Sequence, residues 1–144
     1  MSANIQAVCV SFKLQILEAV HNLSGGDTLK AALYYAGSSL GSGTTAYSAT
    51  GEVTGAGYTA GGKTVTNGTA PATSGITAYW TPSANIAWTG LTIASNFDSW
   101  ELYNSSKSNK AIAVFTFPAQ TVSSGTFAIT MPANSAAAAL LQVS

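Results

Sequence analysis

The chain has 144 residues, of which only 7% are charged, five lysines balancing five acids, where an ordinary soluble protein carries ~25%. Five scattered lysines cannot replace the counterions of a polyanion, which excludes nucleic acid as a partner, and there is no run of ~18 apolar residues to span a membrane. Acids and bases for catalysis are equally scarce, and a surface this poor in charge must be carried by Ser, Thr, Asn and Gln or covered by other chains, of which the second is expected.

The first periodic stretch runs from residue 4 to 23. Ile5, Val8, Cys9, Phe12, Ile16, Ala19, Val20 and Leu23 recur at three- and four-residue steps, with Gln6, Lys13, Glu18 and Asn22 elsewhere on the wheel. The pattern predicts one amphipathic N-terminal helix within residues 1–24, capped by Ser2 or Asn4 and stopped at Ser24-Gly25-Gly26. Val10, Leu14 and Leu17 widen its apolar stripe beyond what one neighbouring sheet would cover, so they are candidate interface residues. Lys13 and Glu18 interrupt this segment, unlike the apolar core of a secretory signal. With one cysteine and no such signal, the expectation is synthesis in a reducing cytoplasm.

From Asp27 onward the period becomes two, broken at short intervals by Gly, Pro, Asn and Ser, as in an all-β domain. Leu29, Ala31, Leu33 and Tyr35 share one face of a first strand, and Phe127, Ile129 and Met131 one face of a late strand. Between Asn85 and Ala94 the alternation slips by one at Thr89-Gly90, where a β-bulge would restore it. Ala111 to Phe117 is apolar on both faces and reads as a central strand ended by Pro118. The expected fold is therefore mainly β: an antiparallel β-sandwich, a jelly roll being one form of it, over residues 25–144, with the helix part of the same domain. Its expected core is Leu29, Leu33, Trp88, Ile93, Leu102, Val114, Phe115, Phe127 and Ile129.

Residues 37–75 are rich in Gly, Thr, Ala and Ser, yet carry Tyr47, Val53, Tyr58 and Val65 at intervals. They read as thin hairpins or arms that neighbouring subunits order, which makes Tyr47 and Tyr58 further interface candidates. Gly57 to Thr64 satisfies the phosphate-binding pattern G-x-x-x-x-G-K-[ST], but Val65-Thr66-Asn67-Gly68 cannot open the helix that such a loop needs. Gly61-Gly62 is better read as a hairpin turn.

His21 is the only histidine, is read as lying in the last helical turn, and has no metal-ligand spacing to Cys9. Asp98 and Glu101 bracket Trp100, but residues three apart on a strand face opposite ways and cannot share a glycosidic bond. Trp80, Trp88 and Trp100 could serve a sugar-binding module if exposed. The sequons at Asn22, Asn67 and Asn104 carry no meaning without a secretory signal. No catalytic, cofactor or metal residue is expected.

Several segments together resemble a family. Ser11-Phe12-Lys13, Val20-His21-Asn22-Leu23, Asp27 to Tyr34, Thr44 to Tyr47, Gly57 to Gly62, Ala78-Tyr79-Trp80 and Leu102-Tyr103-Asn104 resemble small virion structural proteins of tailed bacteriophages. The resemblance runs through most of the chain on fold-forming residues. It implies a non-enzymatic virion protein, in first place a capsid cement or decoration protein that binds the major capsid protein on the capsid exterior. A homo-oligomer, a trimer suiting three-fold positions, is expected. The alternatives are a tail, neck or fibre component, or a receptor- or glycan-binding module.

Overall fold

A computed structural model describes residues 3–144. In chain order the elements are β1 (Ala7–Val8), α1 (Val10–Leu17), β2 (Leu29–Tyr35), β3 (Lys63–Thr64), β4 (Ala72–Ser74), β5 (Thr77–Trp80), β6 (Ile86–Asn104), a 3₁₀ turn (Ser105–Lys107), β7 (Lys110–Ile129) and β8 (Leu141–Val143). They form two antiparallel sheets, one ordered β1-β7-β6-β2-β3 and one ordered β4-β5-β8, compatible with a β-sandwich.

β6 and β7 form one long hairpin that is the spine of the larger sheet. Its tip is shaped by Asn104, whose side chain accepts from the Ser106 N–H, and by Ser108 and Asn109 in the left-handed region. Trp88 pairs with Phe127 and Leu91 with Gly125, so β6 carries one extra residue at Thr89-Gly90, with Gly90 at φ +59. That is the bulge the alternation predicts, and it keeps Trp88, Leu91 and Ile93 buried. Pro118 does not end β7. The strand runs on to Ile129, and the ladder to β6 lapses between Thr116 and Gln120, where Pro118 has no N–H to give.

The N-terminal segment departs from the helical expectation. α1 has eight residues, because Ala7 and Val8 pair as a strand with Val114 and Ala113 and Cys9 is the N-cap. Of the two expected caps, Ser2 lies outside the described residues, and Asn4 instead donates to Asp98 Oδ1 at 2.8 Å from a buried position. The helix stops after Leu17, well before Ser24-Gly25-Gly26. Ala19 takes φ +56, its N–H reaches Ile16 O, and the Val20 N–H reaches Gln15 O, a Schellman motif with alanine where glycine is usual. His21 accordingly lies beyond the helix.

Seven of the nine expected core residues are buried: Leu29, Leu33, Trp88, Ile93, Leu102, Val114 and Phe127. Phe115 and Ile129 are only partly buried and pack against the core, Phe115 by stacking on Trp100 at 4.5 Å between ring centres. Cys9 and Phe12 from the N-terminal segment and Trp80 and Leu141 from the smaller sheet enter the same cluster.

Both faces of β2 are covered. Leu29, Ala31 and Leu33 point into the main core, while Ala32 and Tyr34 join Tyr103 in a second cluster. Leu40 and Tyr47 of the Gly-rich region pack on that second face, while its Val53 and Val65 enter the main core. Val53 N–H donates to Leu33 O and Val65 N–H to Leu29 O along β2; Tyr47 N–H donates to Asn109 O, and Ala111 N–H to Thr45 O, at β7. In place of the arms expected from composition, residues 37–65 lie back over their own sheet. Gly62, at φ +72, passes so close to Ala31 that a Cβ would sit 1.8 Å from its carbonyl oxygen.

Candidate interaction surface

Val10, Leu14 and Leu17 fall at i, i+4 and i+7 on α1, so they share one face, and they are 59%, 57% and 85% exposed. Only Phe12 and Gln15 of the helix are buried. Ile5, Ile16 and Val143 add exposed apolar surface. Ile16, Leu17 and Val143 meet in one groove of about 710 Å³ with Ala7 and Val8, and Ile5 lies beside Gly41. The face carries Lys13 and ends at Glu18; no other charge lies on the helix. Periodicity alone identified Val10, Leu14 and Leu17. Ile5 and Ile16 belong to the apolar period of the expected longer helix, and Val143 is brought in by the β5–β8 pairing.

Tyr47 and Tyr58 sit elsewhere, half-buried and turned inward. Glu52 brings them together: its Oε2 accepts from the Tyr47 hydroxyl and its Oε1 from the Tyr58 hydroxyl and the Gly61 N–H, each at 2.7 Å. Tyr47 also stacks on Tyr103 at 4.7 Å, and Tyr58 faces Trp88 at 6.3 Å. Burial and the bond to Glu52 push both phenols well above their ordinary range. The Tyr103 hydroxyl donates to Gly61 O at 2.6 Å. These tyrosines therefore hold the Gly-rich cover to the sheet from within.

The residues weighed for chemistry are similarly occupied. Asp98 and Glu101 have separate partners, Asn4 and Tyr34, as their odd spacing requires. Burial, with a smaller contribution from the Glu101 charge, pushes the Cys9 thiol up to about 12, far from a reactive thiolate. His21 accepts at Nδ1 from the Asn104 amide, 3.0 Å away, and so donates from Nε2 to Gln15 Oε1 at 2.7 Å. Burial holds this imidazole below its usual value against the pull of Asp27, consistent with the neutral tautomer. Burial would raise the Asp27 pKa, but bonds from Asn22 N–H and the Asn104 amide, with Lys107 at 3.7 Å, hold it below the usual range. The Lys63 segment is strand β3, with no helix following, and Gly61-Gly62 form a turn with both φ positive.

Trp80, Trp88 and Trp100 are all at most 3% exposed. Trp80 contributes to the wall of a cleft of about 490 Å³ beside Phe12, His21, Leu23, Tyr79 and Leu141, and its indole N–H donates to Thr69 O. Among the described residues no group of three His, Cys, Asp or Glu is placed to hold a metal, and no helix is long and apolar enough to cross a membrane. Comparison of the chain with protein-family models, curated proteins and solved structures gives no match.

Proposed function

We propose that the chain is a non-enzymatic structural protein of a tailed-bacteriophage virion, and within it a cement or decoration protein that binds the outside of the major capsid protein shell. The observation that carries this is the exposed apolar face of α1, Val10, Leu14 and Leu17 with Ile5, Ile16 and Val143 around it. A contiguous apolar surface on a chain with ten formal charges is a surface to be covered. A protein that binds the assembled lattice and not its separated subunits stabilises the shell by mass action, and many weak apolar contacts suffice because the lattice presents them repeatedly. Self-association, as a trimer at three-fold positions, belongs to the same proposal. A glycan-binding role has no exposed tryptophan to support it among the described residues.

The test is co-sedimentation of the purified chain with shells that lack it, wild type against Leu14→Glu. The wild type is expected to saturate near the copy number of the major capsid protein, and the variant to stay folded and bind at least tenfold more weakly. Equal binding by a folded Leu14→Glu variant would place the contacts elsewhere. Saturation at tens of copies would favour a tail or neck position instead.

A further inference from the structure

The second face of the sheet holds Tyr34, Tyr103 and the carboxyl of Glu101 beneath a cover that carries Tyr47 and Glu52, and its proton count does not close with both carboxyls ionised. The Tyr34 hydroxyl oxygen lies 2.7 Å from Ser48 O and 3.0 Å from Glu101 Oε2. A phenol has one proton, and a backbone carbonyl has none to give. When Tyr34 donates to Ser48 O, the second contact needs a proton from Glu101. The other Glu101 oxygen, Oε1, is buried with no hydrogen-bond partner among the described residues. That position suits the carbonyl oxygen of a neutral acid far better than an unsolvated carboxylate oxygen.

The surroundings agree. Glu101 is fully buried on β6. It meets Tyr34 from β2, shares its face with Tyr103 on its own strand, and has Ala32 and Val114 as its neighbours across the ladders. The Glu52 charge bears on it from the cover, and the Cys9 thiol feels the Glu101 charge from the N-terminal segment. Tyr47 and Tyr58 are committed to Glu52. We propose that Glu101 is held as the neutral acid and, through Tyr34 and Ser48, forms a proton-operated clamp that fastens the Gly-rich cover to the sheet. Burial, opposed by the bond from Tyr34 and assisted by the Glu52 charge, pushes Glu101 up to about 7.

Removing the proton disables the clamp in a defined way. Ionised Glu101 draws the Tyr34 O–H into donating to it, so Ser48 O loses its donor, and the Glu101 charge is repelled by the Glu52 charge in the cover. A lifted cover lets Glu101 reach water and regain an ordinary value near 4.5. The closed state thus binds more protons than the lifted one between about 4.5 and 7. Closure is strongest below that window, weakens as pH rises through it, and is level above it. The device does not depend on which surface of the protein docks to a partner.

Two measurements on the full chain test it. The first is the δ-carboxyl ¹³C titration of the wild type, with the Glu101 signal assigned through its own side-chain and backbone correlations. Glu101 is expected to stay neutral at pH 6 and titrate near 7, and a midpoint below 5 would overturn the proposal without any variant having to fold. The second is amide protection at Tyr47, Val53 and Ala111, whose N–H groups bridge cover and sheet. Divided by intrinsic exchange rates, protection is expected to fall up to roughly tenfold per pH unit between about 4.5 and 7 and then level off. In Glu101→Gln, whose amide still donates to Tyr34, it should not change with pH across that window. Wild-type protection independent of pH, or the same fall in the variant, would overturn the clamp.

Discussion

α1 and the Gly-rich cover invert what their compositions suggest. The helix is the more apolar of the two, yet Val10, Leu14 and Leu17 stand in solvent, whereas the cover, made mostly of Gly, Thr, Ala and Ser, is fastened across the sheet. The difference lies in where directional bonds are available. α1 is short and buries only Phe12 and Gln15. The cover buries little apolar area, but it contributes Glu52, which collects three donors, and backbone groups that continue the sheet's hydrogen bonding. A segment poor in large side chains can still be fixed where buried polar groups are satisfied.

If that contrast is right, the cover should be sensitive to small changes and the helix face tolerant of large ones. Glu52→Ala should have the largest effect. It leaves two phenols and the Gly61 N–H without their acceptor, a loss on the order of 4 kcal/mol at ~1–3 kcal/mol per orphaned donor, read by urea unfolding. Gly62→Ala should cost about 3 kcal/mol, because the new Cβ meets Ala31 O and the backbone is left-handed there; Gly37→Ala, with open space around it, should be nearly silent.

The pH response comes next. The raised Glu101 value makes the wild type lose about 3 kcal/mol relative to Glu101→Gln between pH 4.5 and 7.5, with no further divergence above. Asp27 acts in the opposite direction: its lowered pKa contributes stability above its ordinary value that is lost on acidification. The difference between wild type and variant is therefore the quantity to follow.

Much of the fold was legible because it rests on alternation. The strands at Leu29–Tyr35 and Phe127–Ile129 and the Thr89-Gly90 bulge follow from which residues must be buried. The expected helix is longer than α1 because Ile5, Val8, Val20 and Leu23 fit a 3.6-residue period by coincidence: Val8 is a strand residue, and Ile5, Val20 and Leu23 lie in loops and turns. No local sequence feature announces that Ala7 and Val8 find Val114 and Ala113 more than a hundred residues away. At the candidate surface, the exposed helix residues could be read from the excess width of the stripe. Tyr47 and Tyr58 were read as outward because their partner was overlooked. Glu52 is the only charged residue between Lys30 and Lys63, and a lone carboxylate among glycines and tyrosines signals a buried acceptor.

The helix itself offers the two smallest effects. Ala19→Gly should stabilise the protein by about 1 kcal/mol, since alanine in the left-handed C′ position carries a steric cost glycine lacks. Leu14→Glu and Leu17→Glu should change the stability of the isolated chain by less than about 0.5 kcal/mol, as expected of exposed positions with no folded-state partner.

The inward cover against the outward helix is tested most directly by residue-resolved hydrogen exchange on the isolated, unassembled chain at pH 5. Protection at Tyr35, Tyr47, Val53 and Ala111, whose N–H groups donate to Gly51, Asn109, Leu33 and Thr45, should approach that of the paired residues at the centre of β6 and β7. Exchange of these four amides at intrinsic rates, with β6 and β7 still protected, would mean that residues 37–65 are free arms in the absence of neighbours, and would contradict the account.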